Sequence, residues 1–271
     1  MQFAISHLRA PFKLARYAIA GWLPGGARLC SVCNHRVWRF MPYQKGRKGM
    51  PPLMLVLDVV GSDVENFECP RCGAHDRERH LLLYMRASGV LDLFRGARVL
   101  HFAPEKRLAR KIEAFEPAAY VQCDLFPAAP GIVKVDIQSM QFADGDFNVL
   151  IANHVLEHVE DLKATLHEIA RVLAPNGVAI LQTPFSGRLQ STWHDTGIDT
   201  AEARLQAYGQ EDHMRLFGRD VCRQIAQAGL MFIGGTHAEL LADSDAAIMG
   251  VNAAEPFFLF SKASREPVAT G

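Results

Sequence analysis

The sequence predicts an α/β chain: a mostly parallel sheet with helices on both faces, preceded by a small four-cysteine module. Three observations predict it. Strand-like and helix-like patterns alternate from residue 98 to residue 260, as in strand–helix–strand units. Two C-x-x-C pairs, Cys30/Cys33 and Cys69/Cys72, stand before that alternation. The 271 residues suffice for one full α/β core with a small appendage.

Composition sets wide bounds. The chain is 49% hydrophobic and 21% charged, a globular balance rather than a disordered one. Lys+Arg and Asp+Glu are equal at 29 each, so overall charge selects no partner. Its distribution is uneven. Residues 1–57 hold Arg9, Lys13, Arg16, Arg28, Arg36, Arg39, Lys45, Arg47 and Lys48 and no Asp or Glu. Such a segment attracts phosphates of nucleic acid or an anionic membrane surface, or is a solvated basic face.

Residues 1–23 mix Phe3, Ile5, Leu8, Phe12, Leu14, Ile19, Trp22 and Leu23 with cations, which suits an amphipathic helix with Pro11 in its first turn. That helix has two uses: docking on the protein's own surface, which is favoured, or peripheral contact with the inner face of a membrane. No apolar run reaches the ~18–20 residues that span a bilayer. The start lacks the apolar core and cleavage site of a secretory signal, so the expectation is cytoplasmic.

The cysteines come next in order. A C-x-x-C turn aims two thiolates at one centre, and two such turns complete a tetrahedron. Gly73, after the second pair, lets backbone N–H groups turn toward sulfur. Disulfides need an oxidising compartment, and a redox motif explains one pair rather than two. The spacing therefore predicts a closed structural zinc site on Cys30, Cys33, Cys69 and Cys72. Residues 45–52 read as a loop inside this module. Cys123 and Cys222 lie in apolar contexts and read as buried small hydrophobes.

The α/β part follows. Residues 76–87 read as a helix ended by Gly89. Strands are expected at 98–102, 120–123, 132–135, 148–152, 178–182, 231–234 and 257–260. Helices are expected at 105–115, 162–173 and 220–228. The helix at 162–173 carries Leu162, Leu166, Ile169 and Leu173 at helical spacing, and Pro175-Asn176-Gly177 stops it. The expected organisation is an amphipathic segment 1–26, the cysteine module 27–78, the α/β domain 79–263 and a flexible tail 264–271. Ligands of such sheets bind at the carboxyl ends of strands, near the switch point. The residues that matter most are thus 101–105, 124, 136 and 153–158.

The segment Phe147-Asn148-Val149-Leu150-Ile151-Ala152-Asn153-His154-Val155-Leu156-Glu157-His158-Val159, followed by Arg171-Val172-Leu173-Ala174-Pro175-Asn176-Gly177, resembles the fourth strand, helix and turn of class I S-adenosylmethionine-dependent methyltransferases of the type 11-like group. With the flanking strands the resemblance covers residues 96–262. Cys-Pro-x-Cys-Gly at 69–73, His101-Phe102-Ala103-Pro104-Glu105 and Tyr208-Gly209-Gln210-Glu211-Asp212-His213 resemble a bacterial subgroup with an N-terminal zinc module. The resemblance implies a Rossmann-like sheet and S-adenosylmethionine as cofactor. It implies that Asp124, 23 residues after His101, holds the ribose hydroxyls. It implies that Asp136 accepts from the adenine amine beside the backbone of Ile137, with Leu125 flanking and Asn153 at the methionine end. The family's first loop is Gly-rich for close backbone approach. Here it is Ala103-Pro104-Glu105. Ala103 is small enough for approach, and Glu105 is placed to pair with the cofactor's ammonium.

Methyl transfer needs orientation and desolvation, and a base only if the acceptor must lose a proton. His154, after the expected fourth strand, is the candidate base, or else a packing histidine. His194, Asp195, Gln210, Asp212 and His213 lie in a polar insertion that covers the acceptor pocket in this fold, and they are the candidate substrate contacts. Their spacing matches no ligand pattern, which argues against a second metal site. Three functions remain: a methyltransferase acting on a small molecule or glycan precursor, which is favoured; an RNA methyltransferase that grips phosphates with its basic module; and a non-catalytic scaffold. The sequence leaves the oligomeric state open.

Overall fold

The computed structural model describes residues 2–263, and of residues 2–11 the backbone alone. The tail expected at 264–271 lies outside the described residues. Helix α1 (Gln2–Trp22) leads into the hairpin of β1 (Arg28–Cys30) and β2 (His35–Val37). Then come α2 (Pro52–Val56), β3 (Val59–Val60), α3 (Asp76–Ala87) and α4 (Val90–Leu93). The alternating part runs β4 (Arg98–Phe102), α5 (Lys106–Glu113), β5 (Ala119–Asp124), β6 (Val133–Lys134), β7 (Phe147–Ala152), α6 (Leu162–Val172) and β8 (Leu173–Ile180). After β9 (Phe185–Ser186) follow α7 (Ala201–Tyr208), α8 (Val221–Ala226), β10 (Leu230–Phe232), α9 (His237–Leu240), α10 (Ala246–Met249) and β11 (Leu259–Lys262).

The main sheet has seven strands in the order β10-β11-β8-β7-β4-β5-β6. All are parallel except β11, which is antiparallel to both neighbours. The chain starts at the centre with β4, moves out to β6 and returns to the other side with β7. The switch point therefore lies between β4 and β7, whose carboxyl ends carry Phe102-Ala103 and Ala152-Asn153. This is the α/β fold the sequence predicts.

Strand residues alternate between two buried faces, so the strands read as apolar runs. Leu100, Leu150, Ala179 and Phe260 face α6 and α8 through Leu166, Ile169, Val221 and Ile225. Val99, Ile151, Ile180 and Phe257 face α3 through Leu81, Leu82 and Met85. That second core also takes in Cys30, Val32, Cys69 and Ala74. The cysteine module is thus packed into one face of the sheet.

Arg79 fastens this junction. Its five N–H donors reach the carbonyls of Asn66, Phe67, Ala74, Met249 and Gly250, and its guanidinium lies 3.8 Å from the Phe40 ring. A guanidinium with no exposed surface is tolerable because every donor is filled.

The structure departs from expectation in three places. The 45–52 loop runs into α2 and β3. These pack on the insertion after β8: β3 pairs with β9, and Met54 joins Ala207, Tyr208 and Leu216 in a small third core. Strand β8 begins at Leu173 rather than 178, because α6 ends there in extended backbone and Phe147 pairs with Leu173 across a register shift. Asn176 takes the bend at φ +62°. Finally, Pro11 lies in the middle of α1 rather than in its first turn. The helix docks on the protein itself, as expected, by its last turns: Tyr17 donates to Glu68, Ala20 accepts from the Trp38 amide, and Arg71 lies over Trp22. Phe12, Leu14 and Ile19 remain exposed. No described helix is long and apolar enough to cross a membrane.

Candidate active site

The carboxyl ends of the neighbouring strands β5 and β6 each lead into a carboxylate, Asp124 and Asp136. Val135 donates to the Asp124 carbonyl, so Asp136 follows two residues after the last pair of the ladder. Asp124 Oδ1 accepts from the Phe126 amide at 2.8 Å, and Asp136 Oδ1 from the Gln138 amide at 2.9 Å. Each side chain is fixed by its own turn. The Oδ2 of each has no partner among the described residues. Leu125 is 42% exposed and Phe126 76% exposed beside them, an apolar surface at a strand end. Ile137, which follows Asp136, is buried.

The loop after β4 has no glycine, yet Ala103 takes a left-handed conformation, φ +46°. A Cβ there costs on the order of 1 kcal/mol, so this turn is held by its surroundings. The Ala103 amide donates to the Cys123 carbonyl at 2.8 Å. The side chain of Glu78 accepts from the amides of His75, Arg107 and Leu108, which joins the start of α3 to the start of α5. Glu105 accepts from Asn153 Nδ2 at 2.5 Å, bridging the ends of β4 and β7. Its Oε2 lies 3.4 Å from His101 Nε2, too poorly aligned for a hydrogen bond. Burial raises the Glu105 carboxyl, but His101 outweighs it and holds the pKa below the ordinary carboxylate value. His101 itself is wholly buried, with Tyr120 Oη 2.8 Å from its Nδ1. It touches the crevice through Glu105.

On the β7–β8 side the charges are enclosed. His154, at φ +56°, has Nδ1 3.2 Å from Glu157 and Nε2 3.6 Å from Glu255. Glu157 also accepts from Thr183 Oγ1. Glu255 continues to His80 Nδ1 at 3.3 Å, His80 Nε2 to His237 Nδ1 at 3.0 Å, and His237 Nε2 to the Ser244 carbonyl. A carbonyl only accepts, so His237 donates from Nε2 and its Nδ1 is left to accept from His80 Nε2. Burial and Arg77 push the His154 pKa down, yet the two glutamates raise it overall. Burial pushes Glu157 up, yet His154 holds it down at about 2. Glu255 is lowered in the same way by His154 and His80.

The candidate substrate residues separate. His194 is exposed, bonds the Met214 carbonyl and lines a shallow cavity of about 550 Å³ with Arg215, Thr192 and Asp161. Asp195 caps its own turn at Gly197, and Gln210 is exposed. Asp212 and His213 join Glu157 and His158 instead: Asp212 Oδ2 lies 3.2 Å from His158 Nδ1, and His213 is buried.

A family model described as a methyltransferase domain matches residues 74–232, more than half of the chain. The chain belongs to the methyltransferase-domain family. The matched region starts just after the second cysteine pair and covers the strands that carry Asp124, Asp136 and Asn153. No curated protein matches the chain. Among solved structures it is similar to 1,6-didemethyltoxoflavin-N1-methyltransferase of Burkholderia thailandensis with S-adenosylhomocysteine and 1,6-didemethyltoxoflavin bound. That likeness has 14% identity over 67% of this chain and 79% of that one, with TM-score 0.43. It is also similar to an S-adenosylmethionine-dependent methyltransferase of Mesorhizobium loti, with 15% identity over 66% and 96% of the two chains and TM-score 0.44.

Ahead of the methyltransferase domain, one ligand atom from each of Cys30, Cys33, Cys69 and Cys72 lies within 4.8 Å of the others. Cys30 Sγ and Cys72 Sγ are 3.8 Å apart. A zinc tetrahedron with Zn–S of ~2.3 Å has edges of ~3.8 Å, and a disulfide would bring sulfurs to ~2.05 Å. Asn34 and Gly73, which follow the two pairs, both take positive φ, +55° and +75°. The donor set and spacing fit a zinc ion. Asn34 is a signal the sequence held, since Asn tolerates this conformation better than most residues.

Sequence reasoning missed Phe126, Glu255 and His80. Phe126 follows Asp124 by two residues and was legible. Glu255 and His80 reach His154 from remote elements, and no local pattern marks them.

Proposed function

We propose that this methyltransferase-domain protein is an S-adenosylmethionine-dependent methyltransferase with a structural zinc on Cys30, Cys33, Cys69 and Cys72. The observation that carries the reading is the pair Asp124 and Asp136 at the carboxyl ends of adjacent parallel strands, each with one oxygen unpartnered among the described residues. Asp124 would accept from the ribose hydroxyls and Asp136 from the adenine amine, with the Ile137 backbone beside it. Leu125 and Phe126 would cover the base. Glu105, steered by His101 and Asn153, would meet the ammonium group past the small Ala103. Bound cofactor supplies the electrophilic methyl of its sulfonium.

His154 has glutamates at both ring nitrogens, so its proposed part is to hold the turn after β7 rather than to take a proton from the acceptor. His154→Gln should then lower kcat without removing an ionisation from the pH profile; loss of the acid-side limb, where rate rises as a base deprotonates, would restore it as the base. The acceptor is proposed to be a small molecule or glycan precursor in the cytoplasm, with His194 and Asp195 near its path. Labelled S-adenosylmethionine incubated with fractionated cell extract tests the class. Label in the small-molecule or glycan fraction supports it, and label in RNA overturns it.

A further inference from the structure

The turn after β7 and the loop after α7 bring Glu157, His158 and His213 together, with one ligand atom of each within 4.8 Å of the others. Residues 55 apart in sequence meet here, so no spacing motif announces them. A hydrogen bond fixes the tautomer of His213. His213 Nδ1 lies 2.9 Å from the Tyr208 carbonyl, which can only accept. Nδ1 therefore carries the proton, and Nε2 is left as a bare lone pair. That Nε2 is buried with no partner, in a side chain on a residue only 3% exposed. His158 Nδ1 lies 3.2 Å from the Asp212 carboxylate, which can accept a hydrogen bond from it and free Nε2 for an ion. Metal-bound histidines have this arrangement: one nitrogen on the ion, the other donated to a carbonyl or carboxylate.

The third group is a carboxylate held in place. Glu157 is 1% exposed and anchored by His154 and Thr183. His158 has a third of its side chain exposed, which gives an ion a way in. We propose that Glu157, His158 and His213 bind a divalent first-row transition ion, zinc foremost, separate from the four cysteines. Two imidazoles and one carboxylate are the nitrogen–oxygen set such ions take. Three protein ligands leave a fourth position for water or an acceptor oxygen, at the same end of β7 as Asn153. The four cysteines, in contrast, would close their ion off. The ion would also tie the loop after α7 to the sheet.

The test is the metal content and coordination of the full chain, expressed with added zinc and desalted. The expected result is two zinc ions per chain, with X-ray absorption showing sulfur at ~2.3 Å and nitrogen or oxygen at ~2.0–2.1 Å in equal shares. His213→Ala and the more exposed His158→Ala should each return one zinc with a sulfur-only shell. One zinc per chain with sulfur alone in the wild type overturns the proposal, as does a second zinc that both variants retain. One zinc with a nitrogen–oxygen shell would sink the cysteine assignment and leave this site standing. None of these readouts depends on cofactor binding.

Discussion

Asp124 and Asp136, on the β5–β6 side of the sheet's carboxyl end, stand half-buried, each held by one backbone amide and, among the described residues, open at its second oxygen. Glu157 and Glu255, on the β7–β8 side, are 1% and 3% exposed and share His154 between them. An open carboxylate can exchange water for a ligand's hydroxyl at little cost to the fold. A buried one is part of the fold, because removing its partner leaves an uncompensated charge. The first side is therefore suited to bind and release, the second to hold shape.

The contrast breaks most plainly at Glu255. Glu255→Ala takes one buried partner each from His154, His80 and Gln182 and should cost about 3–5 kcal/mol, read as a lower Tm or denaturation midpoint. A loss no larger than that of a surface substitution would erase the difference between the sides.

Acid sharpens it. Glu157 is depressed to about 2, so its stabilisation is present above the unfolded value of ~4.3 and fades as pH falls toward 2. Asp76, at the start of α3, runs the other way. Burial raises its pKa to about 7, so the folded state holds its proton more tightly and stability falls as pH rises from ~4 to ~7. Asp76→Asn should flatten that fall, by on the order of 3 kcal/mol, in urea midpoints measured across the range. An unchanged slope would remove Asp76 as its source.

Asp124→Ala belongs to the open side. It should weaken S-adenosylhomocysteine binding by about 1.5–3 kcal/mol, roughly tenfold to a hundredfold, while the Tm barely moves. A large loss of stability with unchanged affinity would invert the assignment. Smallest of all, Ala103→Gly relieves a left-handed alanine and should stabilise by about 1 kcal/mol or less, after the extra entropy of glycine is subtracted. A destabilised variant would mean that the alanine methyl packs usefully in the loop.

The same division governs what the sequence revealed. Strand ends with an acid, such as Asp124 and Asp136, are local patterns, and the strands β4 to β8 were legible from apolar runs and turn residues. The helices α3 and α6 were legible for the same reason. What escaped was assembly from distant pieces. Residues 53–60 form a nearly continuous apolar run with no period to separate helix from strand, and α2 and β3 pack on the insertion after β8 rather than on a local pattern. Glu255 lies 101 residues from His154, and His213 lies 55 residues from His158. Cysteines declared themselves because C-x-x-C is a spacing motif, whereas Glu157, His158 and His213 meet only in three dimensions.

The most direct measurement is calorimetric titration of the zinc-loaded full chain with S-adenosylhomocysteine. The account predicts saturable binding at one site per chain, weakened by Asp124→Ala. No heat and no thermal shift in the wild type, with the chain folded and its zinc in place, would contradict it.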